Sequence, residues 1–210
     1  MNIPDSWPPE GTEASSTART APMFPLPGVF LFPRELLPLR VFEPRYIEMI
    51  EDSLDGPGRI VIGTVLEQDR ADLPGAPPVL PIAGMGEIAR HDRADDGLFY
   101  IWLAGVGRVR IDESGSDRAY RQVTYEPLEE RRPGNEDDSE LRPQILEAIE
   151  ERNKEAVDVV DEMDLSGLAD LLAQFVRAPE PVMADLHGEL DVAERARKAL
   201  SAHERFPRSS

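Results

Sequence analysis

Few residues in this chain are equipped for chemistry. There is no cysteine, which excludes thiolate nucleophiles, thiolate metal sites and disulfides. The three histidines, His91, His187 and His203, form no His-Glu-x-x-His pair and flank no Gly-x-Ser-x-Gly turn. Of the two lysines, Lys154 and Lys198, neither has a serine placed as in a Ser-Lys dyad, and both fall on predicted helix surfaces. No P-loop occurs. The densest polar group is Asp185, His187, Glu189, Asp191 and Glu194. It has the donors for a divalent cation, but in so acidic a chain an inter-helix turn with a helix cap is the favoured reading. Asp92, Asp95 and Asp96 precede Gly97 at the wrong spacing for a calcium loop, whose twelfth position would be Leu103. No metal and no cofactor is expected.

Arg45 and Arg108 are the cations of most interest. Arg45 falls in the first turn of a predicted helix, where a cation opposes the dipole. Arg108 falls in a predicted strand between Gly107 and Val109. Each is expected in a structural ion pair tying helix to sheet, with Glu43 the obvious partner, because arginine forks suit partly buried pairing. Recognition of a ligand carboxylate is the alternative.

The element that must position these groups is the stretch 24–54, the densest apolar run, with five of the twenty prolines. Proline removes a donor and fixes φ, so the run must be short extended pieces that turn sharply. Leu37, Leu39 and Val41 alternate with Leu36, Pro38, Arg40 and Phe42, which predicts an edge or bulged strand. Glu43-Pro44 then opens a helix carrying Ile47, Ile50 and Leu54 on one face, stopped by Asp55-Gly56-Pro57-Gly58.

Upstream, residues 1–22 are poor in large apolar groups and are expected to form a disordered tail, with Trp7 incidental. Downstream, residues 59–66 are apolar at both parities, as in a strand covered on both faces. Residues 68–81 hold four prolines and read as a long exposed loop. Short strands are expected over 85–90 and 120–128, and the longest over 98–111, entered through a hairpin at Asp96-Gly97 and bent at Gly105 and Gly107. From Ser139 onward the spacing is helical. One apolar stripe runs from Leu141 through Ile145, Ile149 and Ala156 to Val160 and Met163, with Val157 beside it. Further helices are expected from Asp164 or Ser166, over 182–186, and from an Asp191 cap. The fold class is thus α+β, with a β-rich lobe containing one helix (23–130), a helical lobe (139–203) and a tail (204–210).

The net charge of −18 repels phosphates and anionic membranes, and no apolar run is long enough to span a bilayer. Neither a nucleic acid nor a membrane is therefore an expected partner. The first residues lack the pattern of a signal peptide, and the absence of cysteine fits a reducing cytoplasm. The skew of basic residues to arginine reads as base-composition bias. Phe30, Leu31, Phe32, Phe42, Tyr46, Tyr100 and Trp102 crowd into the β lobe, most of them as core. A proline-kinked loop over 28–34 can leave apolar surface outside, where extended peptides bind. Phe30, Leu31, Phe32 and Trp102 are the candidate peptide-binding residues.

Taken together, the segments FPLPGVFLFP, LPLRVFEPRYIEMIED, GMGEI, DG and AGVGRVRI resemble the amino-terminal substrate-binding domain of Lon proteases. The closing DLHGELDVAERARKAL is similar to that family's last helix. The most specific piece is Phe42-Glu43-Pro44-Arg45-Tyr46, supported in order by Gly105 to Arg108. Arg40, where the family often has histidine, and the proline-rich 73–81 loop depart from the pattern. The resemblance implies a PUA-like β pseudo-barrel followed by a helical subdomain that recognises substrates or partners and does no catalysis. Glu43, Pro44, Arg45, Tyr46 and Arg108 are then its signature and structural residues. The ATPase and Ser-Lys peptidase of the full protease are not in this sequence, so the chain reads as a stand-alone, cytoplasmic Lon-domain protein. Its expected partners are unfolded or client polypeptides, bound on the β lobe and in its groove against the helical lobe, together with a protease or chaperone. The rival readings are a peptidase, an RNA-binding PUA-like protein and a small-molecule sensor.

Overall fold

The computed structural model describes residues 19–72, 75–156, 160 and 162–207. They fall into two compact units, the first ending at Leu128 and the second starting at Glu129. The first holds strands β1 (Arg19–Pro27), β2 (Leu36–Val41), β3 (Arg59–Val65), β4 (Ile82–Arg93), β5 (Phe99–Ser114) and β6 (Arg121–Pro127), with helix α1 (Pro44–Leu54) between β2 and β3. Expected strands and helix are present, but β4 and β5 run several residues beyond their predicted ends. The 68–81 loop opens with a 3₁₀ helix at Glu67–Asp72.

Residues 19–22, expected in the tail, belong to β1; Trp7 and the rest of that tail lie outside the described residues. Proline obscured this strand. Residues 19–23 pair with β6 and residues 23–27 with β3, so each half of β1 is bonded along one edge. A strand bonded on one side tolerates Pro22, Pro25 and Pro27 because the missing donors can face outward.

The strand order is β2-β5-β4-β3-β1-β6, and β6 also pairs with β5, so the ladders from β5 through β4, β3, β1 and β6 close on themselves. β5 serves two partners on one edge, β2 along 99–104 and β6 along 109–114. Gly105 and Gly107 sit at that handover, where the register with β4 also shifts. Two apolar clusters result. Ile60 and Ile62 join Phe24, Leu31, Tyr46, Met49, Ile50 and Leu103 in one, and Val61 joins Met23, Met85, Val109 and Val123 in the other. β3 is apolar at both parities because each of its faces enters a different cluster.

The segment after β1 lies across the sheet. A Cβ at Gly84 would stand 2.3 Å from the Leu31 carbonyl oxygen, and one at Gly105 only 2.0 Å from that of Phe32. The Arg34 amide donates to the Gly105 carbonyl (2.8 Å), and the Gly105 amide to the Glu35 carbonyl (2.8 Å). Arg34 takes φ 66, a left-handed turn that lets the chain reverse into β2.

The second unit contains α2 (Asn135–Arg152), α3 (Leu165–Val176), α4 (Glu180–Gly188) and α5 (Val192–Arg205). α2 ends at Arg152, with a separate 3₁₀ turn at Lys154–Ala156. The expected stripe through Ala156 to Met163 is therefore not one helix, and Val157 lies outside the described residues. Ala193, Ala196 and Ala199 are buried along α5, so small side chains line the helix where it packs. Among them sits Arg195, fully buried, with Nε 2.9 Å from Asp170 Oδ1 and an amino group 2.7 Å from Glu130 Oε1. Its other donors meet Ser166 Oγ (2.7 Å) and the Glu189 carbonyl (2.6 Å). Helix α5 continues to Arg205, so Glu204 and Arg205 belong to it and not to a tail.

Two stability predictions follow from these contacts. Gly105→Ala should cost about 3 kcal/mol, since a backbone oxygen blocks the added methyl. Gly97→Ala, at a hairpin with φ 82 and open space around it, should cost only about 1 kcal/mol from conformation. Urea melts that rank the two the other way would contradict the packing assigned to Gly105. Arg195→Ala should cost about 3–5 kcal/mol by stranding Asp170, and Arg195→Met combined with Asp170→Leu should recover most of it. If the double variant melts no higher than Arg195→Ala, the loss does not come from a stranded charge.

Candidate functional site

Period-two alternation along β2 divides its side chains between two faces. Leu37, Leu39 and Val41 turn towards the first apolar cluster. Leu36, Pro38 and Arg40 are exposed, and their register partners on β5 are Ala104, Trp102 and Tyr100. Cross-strand partners share a face, so Leu36, Pro38, Tyr100 and Trp102 form one outward surface. Phe42 follows directly on β2. Leu36 (48%), Phe42 (60%) and Tyr100 (41%) are the exposed large apolar residues among those described. Trp102 is half-buried, with the Arg90 guanidinium 4.9 Å from its ring centre. β2 is also the terminal strand of the sheet order, and Pro38 interrupts its free edge.

This surface differs from the expected one. Phe30, Leu31 and Phe32 are 7%, 1% and 0% exposed, so they are core and offer no docking surface. The kinked loop turns inward because Gly84 and Gly105 leave room for its backbone. Only Trp102 of the four candidates reaches the surface. The outward parity of β2 was legible in its alternation; the exposure of Tyr100 carried no comparable signal.

The signature residues are local to α1 and β5. Glu43 precedes the helix, Pro44 occupies its first turn, and Arg45 pairs with Glu43 at 2.8 Å. Tyr46 is buried with its ring 4.3 Å from that of Phe24. Burial pushes its phenol up, although the neighbouring Arg45 cation acts in the opposite direction. Arg108 is 2% exposed, with its guanidinium 5.6 Å from the Phe32 ring centre, and Glu43 serves Arg45.

The polar cluster of the second unit is held by cations and caps. Lys198 Nζ lies 2.8 Å from both Asp185 and Glu189. Burial alone would lower the Lys198 ammonium, but these two hydrogen bonds outweigh it and raise it. Burial would likewise raise Glu189, yet the Lys198 and Asp191 donors hold it below its ordinary value. Asp191 caps α5 by accepting from the Glu194 amide (3.1 Å), and Glu194 pairs with Arg197 (2.7 Å). His187 is buried. Among the described residues no group of three or more His, Asp or Glu side chains is placed to hold a metal ion.

The chain's relatives agree on one family. Residues 20–204 match the model of the ATP-dependent protease La (LON) substrate-binding domain. The chain is 26% identical to Lon protease 2 of Sorangium cellulosum over 129 residues, 61% of this chain and 16% of that protein. It is 24% identical to the Lon protease of Brucella abortus over 208 residues, 95% of this chain and 25% of that one. It thus corresponds to a quarter or less of these relatives' length. Among solved structures, the N-terminal domain of a Mycobacterium avium complex Lon protease superposes with a TM-score of 0.71 at 18% identity, covering 90% of this chain and all of that one. A Lon N-terminal domain protein from Xanthomonas campestris gives 0.65 at 20% identity, covering 87% and 98%. At these identities the superpositions speak to fold alone. No described helix is long and apolar enough to cross a membrane. The family-model match over residues 20–204, most of the chain, places it in the Lon substrate-binding domain family.

Proposed function

We propose that this chain is a non-catalytic recognition module that captures extended apolar segments of other polypeptides on the outward β2–β5 surface. The observation that carries the reading is the grouping of Leu36, Phe42 and Tyr100, beside Pro38 and Trp102, in a unit whose other described large apolar side chains are buried or half-buried. Aromatic and proline faces of this kind offer sequence-tolerant contact to extended chains. Pro38 removes a donor from the free edge of β2, which favours capture through side chains over addition of a full strand. Family membership supports the same reading, since the matching domain is named for substrate binding. An adaptor or quality-control role in the cytoplasm is the setting that fits such a surface and a chain without cysteine. The closed ring of ladders supports a PUA-like pseudo-barrel as its architecture. In that frame Pro44, Tyr46 and Arg108 hold α1 and β5 in place and touch no client.

The test is binding of a fluorescent peptide from an unfolded protein, rich in aliphatic and aromatic residues. Phe42→Ser with Tyr100→Ser should weaken it at least tenfold, because each ring loses about 1–2 kcal/mol of burial. The melting temperature should change little, since Phe42 is 60% and Tyr100 41% exposed and neither belongs to the core. Unchanged affinity in this double variant, or no binding of any apolar peptide at high micromolar concentration, would overturn the proposal.

A further inference from the structure

A second feature of the first unit lies in neither the apolar surface nor the core. Between the first turn of α1 and the connection from β5 to β6 is a cleft of about 290 Å³. Arg45, Arg118 and Arg121 line it, together with Tyr46, Tyr120 and the serines 114 and 116. Among the described residues no aspartate or glutamate lines it, in a chain where acids outnumber bases 41 to 23. We infer that this cleft binds a small oxyanion, a carboxylate or phosphate, through its three guanidinium groups.

The carboxylates nearby hold the arginines from outside the cleft. Glu43 pairs with Arg45 (2.8 Å) and Asp52 with Arg118 (3.3 Å), while Glu113 accepts from Arg121. Each guanidinium has five donors, so one carboxylate partner leaves others to offer. Arg121 is the most constrained. One amino group is given to Glu113 and the other to the Pro77 carbonyl (2.8 Å), and the side chain is only 17% exposed. Its Nε is buried and has no hydrogen-bond partner. A buried donor on a charged group is costly to leave unmet. An anion seated in the cleft becomes its acceptor once the Arg121 side chain turns that donor towards it.

The two phenols suit the same ligand. Tyr120 donates to Asp52 (2.7 Å), and burial together with that bond pushes its pKa up to about 12. Burial also raises Tyr46. Both rings therefore stay neutral at physiological pH and add no negative charge beside an anion. The volume is ample for a phosphate or a short dicarboxylate.

Side-chain NMR of the arginine Nε–H groups tests this on the full chain. Inorganic phosphate and succinate serve as probes, and sodium chloride at matched ionic strength as the control. Saturable movement of the Arg121 Nε–H resonance with phosphate or succinate is the expected result. Movement with both identifies a general oxyanion site, and movement with one alone identifies the carboxylate or the phosphate as its ligand. Arg118→Glu, at a side chain 53% exposed, should weaken that binding at least tenfold without moving the melting temperature. Arg121→Lys keeps the charge and loses the Nε donor; it should weaken binding about fivefold or more. Equal, non-saturating shifts in chloride would overturn the site. So would Arg118→Glu and Arg121→Lys proteins that fold and bind the probes as the parent does.

Discussion

The first unit depends on one close approach, the passage of residues 30–32 over the glycines of β4 and β5. With a Cβ at Gly84 or Gly105 the carbonyls of Leu31 and Phe32 would be struck at 2.3 and 2.0 Å, so the backbone sits in space only glycine leaves open. Much else follows from that seat. It buries Leu31 and Phe32, sends the chain through the left-handed Arg34 into β2, and places β2 against the first half of β5. β5 then needs another partner for its second half, and β6 supplies it, closing the ring of ladders. The exposed face of β2 and the cleft beside α1 both inherit their positions from this path.

That dependence also explains what the sequence revealed and what it hid. Period-two alternation located β2 and divided its faces. The Glu43-Pro44 start, the double-parity run of β3 and the Asp191 cap each had a local cause, and each appears in place. The role of residues 30–32 had no local cause. An apolar loop can turn outward or inward, and the choice was made by Gly84 and Gly105, more than fifty and seventy residues away in the chain. The arginine cleft was hidden for a similar reason. Arg45 was conspicuous beside its signature, but Arg118 and Arg121 lie in an unremarkable loop and strand, and only the fold brings the three together.

The two units are stabilised by different means. In the first, apolar clusters on both sides of β3 do most of the work, and many charged pairs lie at the surface, where each adds little. In the second, a stripe of alanines brings α5 close to its neighbours, and a buried cation satisfies what the helices leave polar. Desolvating Arg195 is expensive, and two carboxylates, a hydroxyl and a carbonyl offset that cost together. Such a network favours one arrangement of Glu130, Ser166, Asp170 and Glu189, since any other leaves a charge unmet.

Arginine usage in this chain has a structural side that composition alone conceals. With 23 basic residues and only Lys154 and Lys198 as lysines, base composition is a sufficient account of the count. It is not an account of the placement. Arg108, Arg152 and Arg195 are buried, and Arg121 is nearly so. Arg152 gives separate donors to His203 Nδ1, the His203 carbonyl and the Phe206 carbonyl, so one planar group fixes the end of α5 to α2. A lysine at that position has a single nitrogen and could not reach acceptors spread over the width of a guanidinium. The same fork geometry leaves Arg121 with Nε free after both amino groups are engaged. Where the fold surrounds the guanidinium with carboxylates, a hydroxyl and a carbonyl, as around Arg195, the result is a rigid joint. Where it supplies them for the amino groups alone, in a residue that lines a cleft, a structural residue becomes a binding one.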